Sequence, residues 1–283
     1  MEWPRGTKAP IWCAAVWVAL ACNSEAVTPP QILVPGEDTL GSALPCTGQY
    51  CNPSLLGIYE MHPFYRKILA TKQIAIVGSQ QPADAALEAA VEIVDSMIVH
   101  RDDMWALLVE VAAFVAIMRQ DEVTTDIPEH RYLRDDPSVN WDESARGLGG
   151  TPGLPITTAA EENLLCLEGD VYAGESILVH EFAHTLPLIS LNVIDPGFEA
   201  ELDSVLTLTR AEGKWERTYA NTNIQEYWAE GVPSWFGVNQ NPRDGTHNEV
   251  DTREELLEYD PRLYEMISRY FAATDWSPSC PSE

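Results

Sequence analysis

Apolar residues recur along this chain in patterns that separate helix from strand. Between Pro82 and His100, Leu87, Val91, Val94 and Ile98 fall at helical spacing, which predicts an amphipathic helix. Gln73 to Val77, QIAIV, is a β-branched run closed by Gly78 and reads as a strand. Val111 to Met118, VAAFVAIM, is continuously apolar and of strand length, as a strand buried on both faces would be, although periodicity alone leaves a buried helix open. Ser54 to Ala70 reads as helix despite Pro63. Pro196 to Arg210 reads as a supporting helix with Phe198, Leu202, Val205 and Leu206 on one side, and Tyr259 to Tyr270 as a C-terminal helix. Glu122 to Thr158 is loop-rich, with GLGG at 147–150. Its last part, Leu148 to Thr158, is a candidate for holding extended substrate by strand addition.

The stretch that carries chemistry is Gly174 to Pro187, GESILVHEFAHTLP. On a helix, residues four apart share a face, so His180 and His184 can offer two ring nitrogens to one ion while Glu181 sits beside it, the H-E-x-x-H arrangement. With six histidines in 283 residues the pattern also arises by chance on a structural helix. The context favours the metal: Gly174, Glu175 and Ser176 suit a first turn, Ile177, Leu178, Phe182 and Leu186 supply faces to bury, and Pro187 reads as the stop.

A catalytic zinc needs a third protein ligand and one open position. Downstream, Tyr219 to Gly231 reads YANTNIQEYWAEG. Thr222 and Gln225 form a capping box, Gly231 and Pro233 mark a stop, and the helix between them carries Glu226 and Glu230 on one face. Either acid is placed to be the ligand. Two neutral imidazoles and one carboxylate would leave the ion positive, acidifying water and polarising a carbonyl. Tyr219, just before that helix, could then donate to a developing oxyanion. Tyr227, Trp228, Trp235 and Phe236 read as core. His247 reads as a local hydrogen-bonding residue rather than a substrate contact, ahead of a helix capped by Thr252 with Glu255, and His62, His100 and His130 as structural or exposed.

H-E-F-A-H followed by Y-A-N-T-N-I-Q-E-Y-W-A-E resembles the gluzincin peptidases related to anthrax lethal factor and the Pro-Pro endopeptidases. The resemblance spans residues 174–272 and implies roles residue by residue. His180, His184 and Glu226 would be the zinc ligands, Glu181 the general base, Tyr219 the assisting hydroxyl, and Glu230 a carboxylate behind a ligand histidine. Ala183 departs from the Gly common in those relatives. The implied fold is an α+β zincin-like domain, a small sheet and the active helix above a mainly helical lower half, with a cleft between.

Lys and Arg total 17 against 44 Asp and Glu, a net charge of −27 that argues against nucleic acid as a partner. The resemblance implies a peptide or protein substrate. Arg5 and Lys8 precede the apolar run Ile11 to Cys22, which suits a signal peptide over residues 1–22 and a location outside the cytoplasm. Ala19-Leu20-Ala21-Cys22 also resembles a lipobox, so Cys22 could carry a lipid, the one route to a membrane. Residues 23–45 read as linker and 46–283 as the catalytic domain, 46–187 its upper and 188–283 its lower part. Cys46 with Cys51, and Cys166 with Cys280, are candidate disulfides. A zinc endopeptidase is the expected function. The rivals are a non-catalytic zinc-containing binding module and an exopeptidase.

Overall fold

The structure, a computed structural model, describes residues 61–72, 74–239 and 247–278. The signal, linker and lipid expectations fall outside these residues, as does every cysteine except Cys166, which is disulfide-bonded. The architecture is α+β. A four-stranded sheet has the order β1 (Lys67–Thr71), β2 (Ile74–Gly78), β3 (Phe114–Met118), β4 (Ile156–Ala160). β1 runs antiparallel to β2, whereas β2, β3 and β4 run parallel.

Side chains alternate across a strand, so β2 and β3 divide their apolar residues between two layers. Ile74, Ile76, Val115 and Ile117 face the main core, while Ala75, Val77, Ala116 and Met118 face a smaller cluster with Tyr65, Ile68 and Ile127. Both faces of the centre are therefore covered, which explains the unbroken apolar run ahead of Arg119. The main core is filled from the helices: α1 (Asp84–Met97), α2 (Asp102–Glu110), α3 (Ile177–Leu186), α4 (Phe198–Ala211), α5 (Ile224–Phe236), α6 (Arg253–Tyr259) and α7 (Pro261–Ser268).

Several local readings need correction. Lys67 to Thr71 is strand, not the end of a helix, because it pairs along its length with Ile74 to Gly78. Residues 111–113 form a turn with Ala112 at φ +53°, and the strand begins at Phe114. Pro187 does not stop the active helix. The backbone widens into a π-turn at Pro187–Leu191 and continues through Asn192–Ile194. Gly231 and Pro233 lie inside α5, which ends at Gly237 in the left-handed region (φ +71°). Gly231 is there for contact: a Cβ would stand 2.7 Å from Leu263 Cδ2 and 2.9 Å from Ile267 Cδ1 of α7. The two C-terminal helices expected after Thr252 and from Tyr259 onward are both present, parted at Asp260, whose carboxylate accepts from the Trp215 indole and the Tyr227 hydroxyl.

The GLGG loop is seated directly on α3. Leu148 and Thr158 form an antiparallel bridge, so residues 148–151 fold back beside β4 and take its outer edge. A Cβ on Gly149 would lie 2.6 Å from His184 Cβ, and one on Gly147 2.6 Å from Ile177 Cγ2 and 2.9 Å from Glu181 Cγ. Gly149→Ala is accordingly expected to destabilise by about 1–3 kcal/mol through overpacking. Gly153→Ala, where nothing lies within 4 Å, serves as the near-neutral control. Urea midpoints of the two variants test this; equal midpoints would contradict the packing.

Candidate metal centre

α3 is buried along its whole length, and its apolar residues Leu178, Val179, Phe182, Ala183 and Leu186 anchor it in the core. Each such side chain gains roughly 1.5–3 kcal/mol by leaving water, which offsets the cost of burying three ionisable groups on the same helix. Thr185 ties the helix to the sheet. Its hydroxyl donates to the Glu181 carbonyl (3.1 Å), accepts from the Gly150 amide (2.7 Å) and lies 2.7 Å from the Thr157 hydroxyl of β4.

α5 crosses α3 from below. Its N-cap is Asn223, one residue later than expected, whose side-chain oxygen accepts from the Glu226 amide at 2.8 Å. That bond fixes where the helix starts and hence where Glu226 points. The Trp228 indole donates to the Ala183 carbonyl at 3.0 Å, bolting the two helices together between the two histidines and the two acids. Tyr227, Trp228, Trp235 and Phe236 are buried, as a core reading requires.

The result is a triangle of donor atoms. His184 Nε2 lies 3.1 Å from His180 Nε2 and 3.1 Å from Glu226 Oε2, and His180 Nε2 lies 3.4 Å from the same oxygen. Zinc binds N and O donors at about 2.0–2.2 Å, and two donors at a tetrahedral angle are then about 3.3–3.6 Å apart. One observed side, 3.4 Å, falls in that range and the two of 3.1 Å lie just below it. The donor chemistry also asks for positive charge at this point. His180 Nδ1 lies 3.3 Å from Glu175 Oε1 and 3.3 Å from Glu230 Oε1. With its proton on Nδ1, facing those acids, its Nε2 presents a lone pair to a carboxylate oxygen. Such a contact is repulsive unless a positive charge sits within it, either a second proton on the ring or a cation at the triangle.

The electrostatics are those of a charged cluster out of water. Burial opposes charging His180, but the carboxylates of Glu175, Glu226 and Glu230 overcome it and hold the imidazole well above its ordinary range. Burial likewise opposes ionising Glu226, yet His184 and His180 bring it down to about 2. Glu230 is held at about 2 against its burial by His180 and His247, whereas burial and the neighbouring Glu230 charge push Glu175 up.

Glu181 lines a small depression with Gly147, Tyr172, Glu175, Ile177, His180 and Tyr219. The half-buried Tyr219 ring lies 6.4 Å from that of His180, centroid to centroid, and packs with Tyr172 and Ile177. On the other side of the triangle, His184 shares an apolar depression with Leu188, Phe198, Leu202, Ile224 and Trp228, so α4 contributes a wall as well as support. The structure thus gathers His180, His184 and Glu226 at one point, Glu181 and Tyr219 in one hollow, and Glu230 behind His180.

Sequence reasoning missed Glu175 and gave His247 no part in the site. Glu175 is not a first-turn acid. It precedes the helix, in a loop where Gly174 takes φ +106°, and its side chain turns toward His180. His247 is buried with Nδ1 3.1 Å from Glu230 Oε2. The only signal for Glu175 was an acid close before H-E-x-x-H; none marked His247.

No protein-family model matches the chain, and no curated protein matches it. Among solved structures, a Pro-Pro endopeptidase (PPEP-2) from Paenibacillus alvei is similar at 15% identity and a TM-score of 0.47, over 69% of this chain and 97% of that one.

Proposed function

We propose that the protein is a zinc-dependent endopeptidase of the gluzincin type with a zincin-like fold, acting outside the cytoplasm on peptide or protein substrates. The observation that carries the reading is the triangle of His180 Nε2, His184 Nε2 and Glu226 Oε2 with sides of 3.1 to 3.4 Å. Those three residues would hold one Zn²⁺. Bound there, the ion supplies Lewis acidity, which acidifies water and polarises a carbonyl oxygen.

The chain's own residues do the rest. Glu181, adjacent to the triangle and outside it, takes the proton of the attacking water and returns it to the leaving amine. Tyr219, facing the same hollow, donates its hydroxyl proton to the oxygen that gains charge. Glu230, with Oε1 3.3 Å from His180 Nδ1, would hold the proton on that nitrogen and keep the opposite ring nitrogen turned toward the ion. The segment 147–151 along the sheet edge beside α3 is where an extended peptide would align, and the apolar hollow at His184 would take an apolar side chain. An intact base and a hydroxyl beside the triangle favour catalysis over a structural zinc, which needs neither.

The test is cleavage of a peptide library by zinc-loaded protein, with blocked and free N-termini compared. Internal cleavage of blocked peptides is expected, and cleavage confined to free termini would turn the reading to an exopeptidase. Tyr219→Phe keeps the ring packing and loses the donor. It is expected to lower kcat about 10²- to 10³-fold with little change in KM. An unchanged kcat would remove Tyr219 from the mechanism.

A further inference from the structure

Behind the metal-facing side of His180 lies a second cluster. His180 Nδ1 is 3.3 Å from an oxygen of Glu175 and 3.3 Å from an oxygen of Glu230. Their other oxygens meet His247, with Glu230 Oε2 3.1 Å from Nδ1 and Glu175 Oε2 3.9 Å from Nε2. The four side chains close a ring, and all are buried, the two acids to 3% and 2% residual exposure. To orient one imidazole a single carboxylate suffices. A second buried acid costs stability, and so does the histidine brought in to face both.

Glu175 is also held with more care than a chance neighbour. Its amide donates to the Tyr172 carbonyl at 2.9 Å, and its own carbonyl accepts from the Asn163 side chain at 2.8 Å. The oxygen of the same Asn163 side chain accepts from the Ile177 amide at 2.8 Å, at the start of the active helix. The next amide, Ser176, donates to the Val238 carbonyl at 3.0 Å, just past the end of the helix that bears Glu226 and Glu230. Loop, active helix and acid-bearing helix thus meet at Glu175.

We propose that Glu175 and His247 are positioning residues of the metal centre, which together with Glu230 lock the ring of His180 and strengthen it as a ligand. This rests on the zinc reading given above. Glu175 and Glu230 flank Nδ1 at 3.3 Å each, so their charges bracket the ring from two sides and leave Nε2 aimed at the triangle. His247 spans the far oxygens of the two acids and keeps them from drifting apart.

The experiment uses the full chain. Zinc affinity is measured by competition with a chromophoric chelator for wild type, Glu175→Gln, His247→Gln and the double variant, alongside the thermal midpoint of each zinc-free protein. Each single change is expected to weaken zinc binding about 10- to 100-fold. The double should lose less than the product of the two, because they act through one ring. Zinc-free midpoints are free to shift as the buried cluster is altered, so the positioning role is read from the loss of zinc affinity, measured beside the midpoint of each variant. If Glu175→Gln does not fold, His247→Gln carries the same test. Wild-type zinc affinity in the variants, or lower zinc-free midpoints with affinity unmoved, would overturn the positioning role and leave the zinc reading intact. A wild-type protein that binds no zinc would overturn both.

Discussion

Glu181→Gln is expected to reduce peptide hydrolysis about 10²- to 10⁴-fold while the zinc stays in place. The two carboxylate functions near the ion are divided between different residues. Glu226 Oε2 is a corner of the donor triangle, 3.1 Å from His184 Nε2, whereas Glu181 lies outside it and faces the hollow shared with Tyr219. An amide fills the same volume and cannot take a proton, so packing against Gly147 and the backbone link to Thr185 survive. Initial rates on a cleaved peptide, read beside zinc content of the same preparation, check this. Undiminished turnover would end the general-base assignment.

Glu226→Gln should act one step earlier, by removing the ion. Two imidazoles alone lack the negative charge that balances a dication, and the loss in affinity is expected to exceed the roughly 100-fold that an outer partner costs. The effect appears in stability too. A ligand that binds only the folded state stabilises it by about 4 kcal/mol when free at 1,000 times its dissociation constant. Wild type should therefore melt higher with zinc than without it, and Glu226→Gln should show no such increment at the same zinc concentration. Equal zinc-induced shifts in both proteins would exclude Glu226 as a ligand.

What the sequence made legible was local chemistry on regular elements. His180, Glu181 and His184 sit within one helix, and Glu226 and Glu230 within another, so spacing alone put each set on one face. β2 and β3 were readable because burial on both faces leaves an unbroken apolar run. The failures share one cause, tertiary contact overriding local signals. Pro187, Gly231 and Pro233 are helix breakers by propensity, yet all three stay helical, Pro187 where the backbone widens into a π-turn and Gly231 and Pro233 inside a buried helix. Lys67 to Thr71 became strand because β2 offered a partner. Glu175 and His247 could not be found by spacing, since they reach His180 and Glu230 from irregular backbone.

The cluster also explains why an acidic chain can bury so many of its acids at one place. Glu175, Glu226 and Glu230 are all taken out of water around His180. Without compensation each such ion costs several kcal/mol. A dication held in the triangle would provide that compensation together with the histidine behind it, and folding would then be coupled to metal binding.

The most direct measurement is an anomalous difference map, recorded at the zinc absorption edge, from crystals of the zinc-loaded protein. One peak is expected, about 2.0–2.2 Å from His180 Nε2, His184 Nε2 and an oxygen of Glu226. A map with no peak at that point, or with Glu226 turned away and the ion held instead by Glu175 and Glu230, would contradict the account.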